Sequence, residues 1–359
     1  MKKIFAWFLF VLFAYVLVCA SSDPGMKFLS KLRNHQPEIL QSDKYTFGDL
    51  YGLSYLPQFR TIKDPSYVEL PTILDTNQRT NNLYILCDSY LYSSFDENPN
   101  YFHGIKNAYF TRWTEDTLLN SNQLKSSNSI LLIECVERNV TFRLKLAEIN
   151  ARISIAKHVL KLPAVSQNTF KFPSFHDLNE GVKHVLYHKT LETNLDFVLF
   201  SRGIFRIFKE AKASLNLNLF HRTDNGVSIA ADGTFLYLKE TTDPSVASSS
   251  FYPFTNQEID SFVTNLNEIN DYYLKAGFKR VLISIPANPV AILQTEKSPT
   301  NQLLNRLKKH PNLKVEIIDP SDSLKVNASQ NYFKSDSHWN KNGAKIWLEF
   351  LNRSLAKSN

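Results

Sequence analysis

The stretch that decides the fold is NNLYILCDSYLYSSF, residues 81–95. It contains the apolar run 83–86, which is short and unbroken, as is typical of a strand buried on both faces of a sheet. An Asp-Ser pair, Asp88 and Ser89, follows the run almost directly. In a parallel α/β sheet, ligands bind beyond the carboxyl ends of the strands. The stretch therefore predicts a buried strand with reactive side chains placed at its end.

Three further apolar runs follow the same pattern, at residues 130–135, 281–285 and 315–318. Apolar residues at helical spacing lie between and after these runs. They are Ile259, Phe262, Val263, Leu266 and Ile269, then Ile346, Trp347, Phe350 and Leu351. Gly277 follows the first set as a typical helix stop. Short buried strands that alternate with helices predict an α/β fold with a mostly parallel sheet covered on both faces.

The middle of the chain, about residues 140–225, contains helix-like stretches and no clear strand alternation, so we interpret it as an insertion within the α/β domain. After it, ADGTFLYLKE predicts a turn at Asp232-Gly233 followed by a strand. Residues 23–80 are polar and irregular, and we interpret them as a tether and entry segment. The domain itself is then expected over residues 81–359.

The N-terminus, MKKIFAWFLFVLFAYVLVCASSD, has two lysines and then no charged residue until Asp23. The apolar run from Ile4 to Ala20 is at the lower limit for crossing a bilayer and slightly long for a cleaved signal. Residues 1–22 are therefore a signal anchor or a signal peptide cleaved after Ala20. The lysines before the run predict that the rest of the chain lies outside the cytoplasm, in the periplasm or cell envelope, membrane-anchored or secreted.

The composition is that of a globular protein, with 43% hydrophobic and 13% aromatic residues, and this argues against disorder. The net charge of +7 comes from scattered lysines and arginines, so we expect a solvated basic surface and no nucleic-acid partner. There is no glycine-rich phosphate loop, and we expect no nucleotide or other cofactor. His184 and His188 are spaced like metal ligands, but no third ligand is evident and no metal is expected.

The two cysteines outside the leader, Cys87 and Cys135, each end a strand-like run. In an oxidising compartment they could form one disulfide. Neighbouring parallel strands rarely offer the geometry that a disulfide needs, however. We therefore expect two free, buried thiols.

Near the C-terminus, YFKSDSHWNKNGAKIWLEFL (residues 332–351) places Asp336 two residues before His338. In an extended loop these two side chains emerge on the same side. The aspartate then holds the imidazole through Nδ1 and leaves Nε2 free to act as a base. Ser89, on a turn after a strand, is the nucleophile that such a histidine needs. The alternative is that Ser89 and Asp88 only cap a helix.

These parts together resemble the SGNH hydrolase superfamily: a strand, an Asp-Ser-Tyr segment directly after it and a late Asp-x-His. The segments DSHWNKNGA, IECVERN, ADGTFLYL and VLISIPANP look more specifically like the SGNH-like domains of alginate O-acetyltransferase-type proteins. The resemblance covers about residues 81–350 and implies a three-layer α/β domain. This chain departs from the resemblance in three ways. Its serine precedes the Asp-x-His segment, as in the wider superfamily but not in the alginate group. Cys87 replaces the glycine that usually stands in the serine block, and no Gly-x-Asn-Asp block is visible.

The resemblance implies serine-dependent transfer of acetyl groups to an extracytoplasmic polysaccharide, with a membrane-bound O-acyltransferase as a partner. Ser89 would be acylated, His338 would act as general base and Asp336 would orient it. The candidates for oxyanion or substrate binding are polar or aromatic residues near strand ends or the histidine: Arg138, Asn139, Asn288 and Trp339. The tryptophan is expected to fix its loop by packing or to line a sugar site.

Two other functions stay open from the sequence. A carbohydrate acetylesterase of the same fold would pass the acetyl group to water. A non-catalytic scaffold protein of the cell envelope would need neither Ser89 nor His338, and Cys87 in the serine block is the feature that supports it.

Overall fold

The computed structural model of the protein describes residues 2–22, 25–26, 28, 47–50, 52–61, 79–92, 94–95, 98–126, 128–156, 181–183, 185–187, 190–200, 204–223, 226–294 and 299–357. The strands in these residues are β1 (Asn81–Cys87), β2 (Ile105–Arg112), β3 (Thr117–Asn120), β4 (Asn128–Glu134), β5 (Ile153–Ala156), β6 (Val227–Ile229), β7 (Leu236–Leu238), β8 (Arg280–Ser284) and β9 (Glu316–Ile318).

The helices in the same residues are α1 (Lys2–Ala20), α2 (Ser89–Tyr92), α3 (Ser121–Ser126), α4 (Val140–Arg143), α5 (Leu146–Arg152), α6 (Leu191–Phe200), α7 (Ile204–Asn218), α8 (Asn256–Ala276), α9 (Pro289–Leu293), α10 (Leu303–Lys308), α11 (Ser321–Lys325) and α12 (Lys341–Ala356).

Among the described residues, five strands form one parallel sheet in the order β2-β1-β4-β8-β9. The four apolar runs found in the sequence are β1, β4, β8 and β9, so the predicted parallel sheet is confirmed. The chain leaves β1 toward β2 on one side and then returns to β4 on the other. Open α/β sheets bind ligands at such a reversal, beyond the carboxyl ends of the strands. Ser89, directly after β1, lies at this edge.

The edge strand β2 has no counterpart among the predicted strands. It pairs with β1 along its length, with Ala108 opposite Leu83. Its sequence, IKNAYFTR, has no unbroken apolar run, and roughly every third residue is buried. An edge strand needs less apolar surface than a central one because one of its sides meets no other strand. The pattern used to find the buried strands therefore misses it.

Side chains that alternate along β1 divide the core into two halves. Leu83, Ile85 and Cys87 pack on the side that includes residues of α12. Tyr84 and Leu86 pack on the opposite side, with residues of α8. Helices therefore cover both faces of the sheet, as the alternation of strands and helices predicted. The cysteines are all free and buried, which confirms the two free thiols expected at Cys87 and Cys135.

Helix α8 shows how local sequence fixes the covering layer. Its first turn has a capping box, in which Thr255 Oγ1 accepts from the Glu258 N–H at 3.2 Å and the Glu258 carboxylate accepts from the Thr255 N–H at 2.7 Å. Such a box pairs two N–H groups that would otherwise lack partners. The helix ends at Gly277, whose φ is 120°. The predicted helix and its stop are both confirmed.

The predicted insertion at about residues 140–225 is helical in α4, α5, α6 and α7, and it also contains a strand. β5 pairs in parallel with β3 as a second, two-stranded sheet. His184 and His188 lie outside the described residues. The turn at Asp232-Gly233 is present and leads into β7, which pairs antiparallel with β6.

The segment before β1 is not wholly a tether. Leu50, Leu53, Leu56 and Phe59 are buried in one cluster with Ala213 of α7. A tether would leave such side chains in water, which costs free energy roughly in proportion to the apolar area exposed. Residues 47–50 and 52–60 therefore contribute to the folded body although they precede β1.

Helix α1 is long and apolar enough to cross a membrane. Most of its side chains are exposed, but the last turn packs against the domain. Val16 and Ala20 are buried beside Phe197 and Val198 of α6. An apolar helix in this place is the feature expected of a signal sequence or an anchor.

Candidate active site

The structure brings Ser89, His338 and Asp336 into one hydrogen-bonded chain. Ser89 Oγ lies 2.7 Å from His338 Nε2, and His338 Nδ1 lies 2.6 Å from Asp336 Oδ1. With a neutral imidazole protonated on Nδ1, the histidine donates to the aspartate and accepts from the serine hydroxyl. This is the arrangement in which a histidine removes the proton of a serine that attacks a carbonyl group.

Asp88 caps the helix that begins at Ser89. Asp88 Oδ1 accepts from the Tyr90 N–H at 2.9 Å, and Asp88 Oδ2 accepts from the Val136 N–H at 2.9 Å. The aspartate therefore supplies the cap and also ties the end of β1 to the end of β4. The Ser89 side chain is exposed and directs its hydroxyl to His338. Asp88, and not Ser89, therefore provides the side-chain cap of the helix.

The histidine loop (residues 333–338) is held at its base. Tyr332 and Trp339 form an antiparallel bridge across the two ends of the loop. Tyr90 donates a hydrogen bond from its hydroxyl to the Ser337 carbonyl, and its ring lies 4.8 Å from the His338 ring between centroids. Tyr90, the residue after the serine, thus packs against the His338 ring and fixes the position of the histidine loop.

Trp339 is a packing residue, which corrects its assignment to substrate binding. Its side chain is only 2% exposed. Trp339 Nε1 donates to the Tyr90 carbonyl and to Ser94 Oγ, each at 3.2 Å. Its ring meets the Tyr90 ring edge-on at 4.9 Å. A sugar ring therefore has no access to it, and packing is the expected role that the structure bears out.

Asp336 is almost fully buried, and its carboxylate accepts from several N–H groups. Asp336 Oδ1 accepts from the His338 backbone N–H at 3.0 Å as well as from the ring. Asp336 Oδ2 accepts from the Asp49 N–H at 3.1 Å. Hydrogen bonds from N–H groups favour the ionised form of a carboxylate. The buried aspartate is thereby suited to stabilise a protonated His338.

Asp49 is a site residue that the sequence reading missed. Its carboxylate accepts from the Ser337 N–H at 2.7 Å and from Ser337 Oγ at 2.5 Å. Asp49 Oδ2 also lies 3.5 Å from His338 Nδ1. A second carboxylate thus faces the imidazole, and it holds the residue between Asp336 and His338.

Asp49 belongs to a short segment that holds the histidine loop along its length, which we call the latch (residues 47–50). Ser335 Oγ donates to the Phe47 carbonyl at 2.6 Å, and the Leu50 N–H donates to the Ser335 carbonyl at 3.2 Å. Gly48 has a φ of 93°, and a Cβ there would lie 2.8 Å from Asp336 Cβ. The close approach of the two backbones requires glycine.

Asp49, Asp336 and His338 present ligand atoms within 4.8 Å of one another, a spacing at which a metal ion can be held. These atoms already have hydrogen-bond partners, however: Ser337 for Asp49, and the histidine and the Asp49 N–H for Asp336. The hydrogen bonds within the histidine loop and its latch therefore explain why these three side chains lie together, and the same bonds orient His338 toward Ser89.

Arg138, just after β4, points toward the same group of residues. Its guanidinium lies 5.7 Å above the Tyr90 ring. Burial lowers the pKa of Arg138, but the nearby Tyr90, Asp88 and Asp49 outweigh this and raise it overall. Its Nη1 is buried and has no hydrogen-bond partner among the described residues. Of the residues expected to bind the oxyanion or the substrate, Arg138 therefore has a buried N–H group, on Nη1, that is available to a ligand.

Asn288 and Asn139 do not join the hydrogen-bonded chain. Asn288 Nδ2 donates to the Ser248 carbonyl at 3.2 Å and to Ser250 Oγ at 3.1 Å. Both hydrogens of the amide have acceptors, so Asn288 has none left for an oxyanion, which corrects its candidacy. Asn139 donates its backbone N–H to the Val136 carbonyl at 2.9 Å. No contact with Ser89 or His338 is found for its side chain among the described residues.

Glu134 is a buried carboxyl group under the serine turn. Glu134 Oε2 accepts from the Asp88 N–H at 2.8 Å, and the side chain is fully buried. Burial, followed by the nearby Asp88, raises the pKa of Glu134 well above its usual value. The buried environment therefore favours the neutral form of Glu134.

Cys87 does not fill the serine turn. Its side chain is fully buried in the core cluster with Leu83 and Ile85, whereas Ser89 is exposed. Burial raises the pKa of the Cys87 thiol well above its usual value, so the thiol is not a competing nucleophile. Cys87 therefore leaves the serine turn unobstructed, and its place in the serine block no longer argues for a scaffold protein.

No protein-family model matches this chain, and neither the curated proteins nor the solved structures give a match. The resemblance to the SGNH superfamily therefore remains a prediction, and the function has to be argued from the site.

Proposed function

We propose that the protein is a serine-dependent acyltransferase that moves acetyl groups onto an extracytoplasmic polysaccharide. The observation that carries the proposal is the chain Ser89 Oγ···His338 Nε2 at 2.7 Å and His338 Nδ1···Asp336 Oδ1 at 2.6 Å. The position of the serine supports it further, because Ser89 is exposed at the carboxyl edge of a parallel sheet. The three-layer SGNH-like arrangement is part of the same proposal.

The first half-reaction forms an acyl-enzyme. Ser89 Oγ attacks the carbonyl carbon of the acetyl donor while His338 Nε2 takes the hydroxyl proton. Asp336 and Asp49 face the imidazolium that results, at 2.6 and 3.5 Å from Nδ1. The tetrahedral intermediate then expels the donor's leaving group, which receives the proton from His338, and acetyl-Ser89 remains.

The oxyanion of this intermediate needs hydrogen-bond donors. We assign this role to Arg138, whose buried Nη1 has no partner among the described residues, together with the backbone N–H of Ser89. A preorganised donor at this position is worth about 2.7 to 4 kcal/mol of transition-state stabilisation. A cation is a strong donor to an oxyanion because the bond is charge-assisted.

The second half-reaction transfers the acetyl group to a hydroxyl. His338 Nε2 removes the proton of the acceptor, and the acceptor oxygen attacks the carbonyl carbon of acetyl-Ser89. The intermediate then expels Ser89 Oγ, which takes the proton back from His338. A sugar hydroxyl as acceptor makes the protein an O-acetyltransferase. The polysaccharide and the membrane-bound O-acyltransferase that would supply acetyl groups come from the resemblance of the sequence motifs.

We also propose that α1 is retained as an anchor rather than removed. Cleavage after Ala20 would cut a residue that is fully buried. The Asn194 side chain donates to the Ala20 carbonyl at 2.7 Å, and it is itself fully buried. A buried amide without its acceptor costs free energy, so the domain is built to keep the end of α1.

To test the proposed function, the full chain in detergent is incubated with a chromogenic acetyl ester, with and without oligosaccharide acceptors. Acetylated oligosaccharide and free acetate are then measured. An O-acetyltransferase yields acetylated oligosaccharide, and the yield disappears in Ser89→Ala. Release of acetate that no oligosaccharide suppresses, without acetylated product, would reject transfer to sugars.

An acetylesterase is the second candidate, and the exposure of Ser89 favours it. Water can reach an acyl group on an exposed serine, and hydrolysis then needs no further site. The ratio of acetylated oligosaccharide to free acetate in the same experiment separates the two functions.

A further inference from the structure

Helix α7 turns an apolar stripe away from the protein. The stripe consists of residues at helical spacing, each between 46% and 66% exposed: Phe205, Phe208, Leu215 and, directly after the helix, Leu219. Lys212, also exposed, falls on the same stripe. Exposed apolar side chains scattered singly are ordinary, but a continuous stripe marks a surface that another partner covers.

The side of α7 that faces the protein is apolar in its middle, with ion pairs beside it. Ala213 is buried there, and Leu217 packs against the same apolar cluster, which includes Leu53. Lys209 forms an ion pair with Asp196, and Glu210 forms one with Arg60. A surface helix of a soluble protein normally carries its apolar residues on the core side alone. A second, outward apolar stripe on α7 indicates an apolar environment outside the protein.

The neighbours of α7 place it beside the end of α1. Val16 and Ala20, in the last turn of α1, pack against Phe197 of α6. The remainder of α1 extends from the domain with exposed apolar side chains such as Phe8. A bilayer around α1 therefore ends close to α6. Helix α7 begins at residue 204, a few residues after α6 ends.

We propose that α7 lies in the lipid–water interface of the membrane that α1 enters, with its apolar stripe among the upper acyl chains. The long stem of Lys212 lets its ammonium group reach the phosphate layer from within the stripe. His221 and Arg222, exposed just beyond the helix, add basic groups at the same end. This chemistry fits an anionic phospholipid surface.

Further exposed apolar residues precede α6. Val182, Leu186 and Tyr187 are between 50% and 81% exposed. They add exposed apolar surface in the part of the chain that precedes α6. Membrane contact on this scale would hold the domain at a fixed orientation, so that the latch and the histidine loop keep a constant distance from the bilayer.

This inference rests on the anchoring proposed for α1 and does not depend on acyl transfer. The test attaches a nitroxide to single added cysteines in the full chain, reconstituted in vesicles of phosphatidylcholine and phosphatidylglycerol. The native cysteines are buried, and unmodified protein gives the labelling background. The labelled variants are Phe208→Cys and Leu215→Cys, with Phe8→Cys in α1 as the anchor control. Val326→Cys, at an apolar residue 66% exposed on another part of the domain, is the matched soluble control.

The measurement is the accessibility of each nitroxide to oxygen, which concentrates in lipid, relative to a water-soluble nickel chelate. We expect the oxygen-to-nickel ratio at Phe208 and Leu215 to be severalfold higher than at Val326 and below that at Phe8. A high ratio at Phe8 with a ratio at Phe208 equal to that at Val326 would overturn the placement of α7 and leave the anchor intact. A low ratio at Phe8 would overturn both. Shielding of Phe208 with strong dipolar broadening between labels would show a second copy of the chain on the stripe, which also overturns the proposal.

Discussion

Replacement of Gly48 by alanine tests whether the latch holds the histidine loop. A Cβ at Gly48 would overlap the Ser335 carbonyl oxygen and would lie 2.8 Å from Asp336 Cβ, and the φ of 93° is unfavourable for alanine. The backbone conformation costs about 1 kcal/mol and the overpacking about 1 to 3 kcal/mol, so Gly48→Ala should weaken docking of the latch by about 2 to 4 kcal/mol.

The chain offers a matched control for this change. Gly233 also has a positive φ, 76°, but a Cβ there would meet no atom within 4 Å. Gly233→Ala therefore adds the backbone strain alone, without the steric overlap that Gly48→Ala adds. It should lower the stability of its own turn without changing the reactivity of Ser89.

The assay measures the rate of acetyl-Ser89 formation by intact mass spectrometry, alongside chemical denaturation. Since about 1.4 kcal/mol corresponds to a factor of ten, loss of the latch should slow acylation at least about tenfold in Gly48→Ala. Gly233→Ala should acylate as the wild type does. Wild-type acylation in Gly48→Ala, or an equal loss in both variants, would refute the role of the latch.

Three further predictions follow from the buried charges. Burial raises the pKa of Glu137 from 4.5 to about 6. The contribution of Glu137 to the free energy of unfolding is therefore greatest below pH 4.5 and declines as the pH rises through 6. Denaturation curves should show the wild type losing about 2 kcal/mol relative to Glu137→Gln over that range, and parallel curves would contradict it. Because burial favours the neutral form of Glu134, Glu134→Gln should cost less folding stability than Glu134→Ala, which should lose about 2 kcal/mol or more. Equal losses in the two variants would contradict this. Arg138→Met should slow acylation about a hundredfold, and Arg143→Met much less, as measured by the same adduct assay; equal effects would remove Arg138 as the oxyanion donor.

Features with a local signature could be predicted from the sequence. The central strands appear as short unbroken apolar runs, and the Asp-x-His pair lies within three residues, so its geometry follows from side-chain alternation. The serine was expected because it follows a strand end. In each case the information lies within a few neighbouring residues.

Features that depend on distant contacts could not be predicted. Asp49 meets Asp336 across 287 residues of sequence, and nothing in the polar segment around it marks it as a partner. Asn288 follows a strand end, as predicted for a site residue, but its amide hydrogens are taken by Ser248 and Ser250. Position along the chain gives the edge of the sheet on which a side chain lies, but not the group that it contacts.

Residue roles near the histidine needed burial data to be assigned. Trp339 fitted a sugar site as well as a packing role from its sequence alone, and its 2% exposure decides for packing. Cys87 suggested an impaired serine turn until the structure placed its side chain in the core.

The most direct test of the central claim is the acetyl adduct itself. The full chain is incubated with a chromogenic acetyl ester, quenched and analysed by intact mass and peptide mapping. Ser89→Ala and His338→Ala are compared with Ser245→Ala, which removes an exposed serine whose Oγ lies 2.7 Å from a carboxylate, Asp243, without a histidine.

We predict one acetyl group on Ser89 in the wild type and in Ser245→Ala, and none in the other two variants. An adduct that persists in Ser89→Ala, or a folded wild-type protein that forms no adduct and releases no acetate, would contradict the assignment of Ser89 and His338 as nucleophile and base.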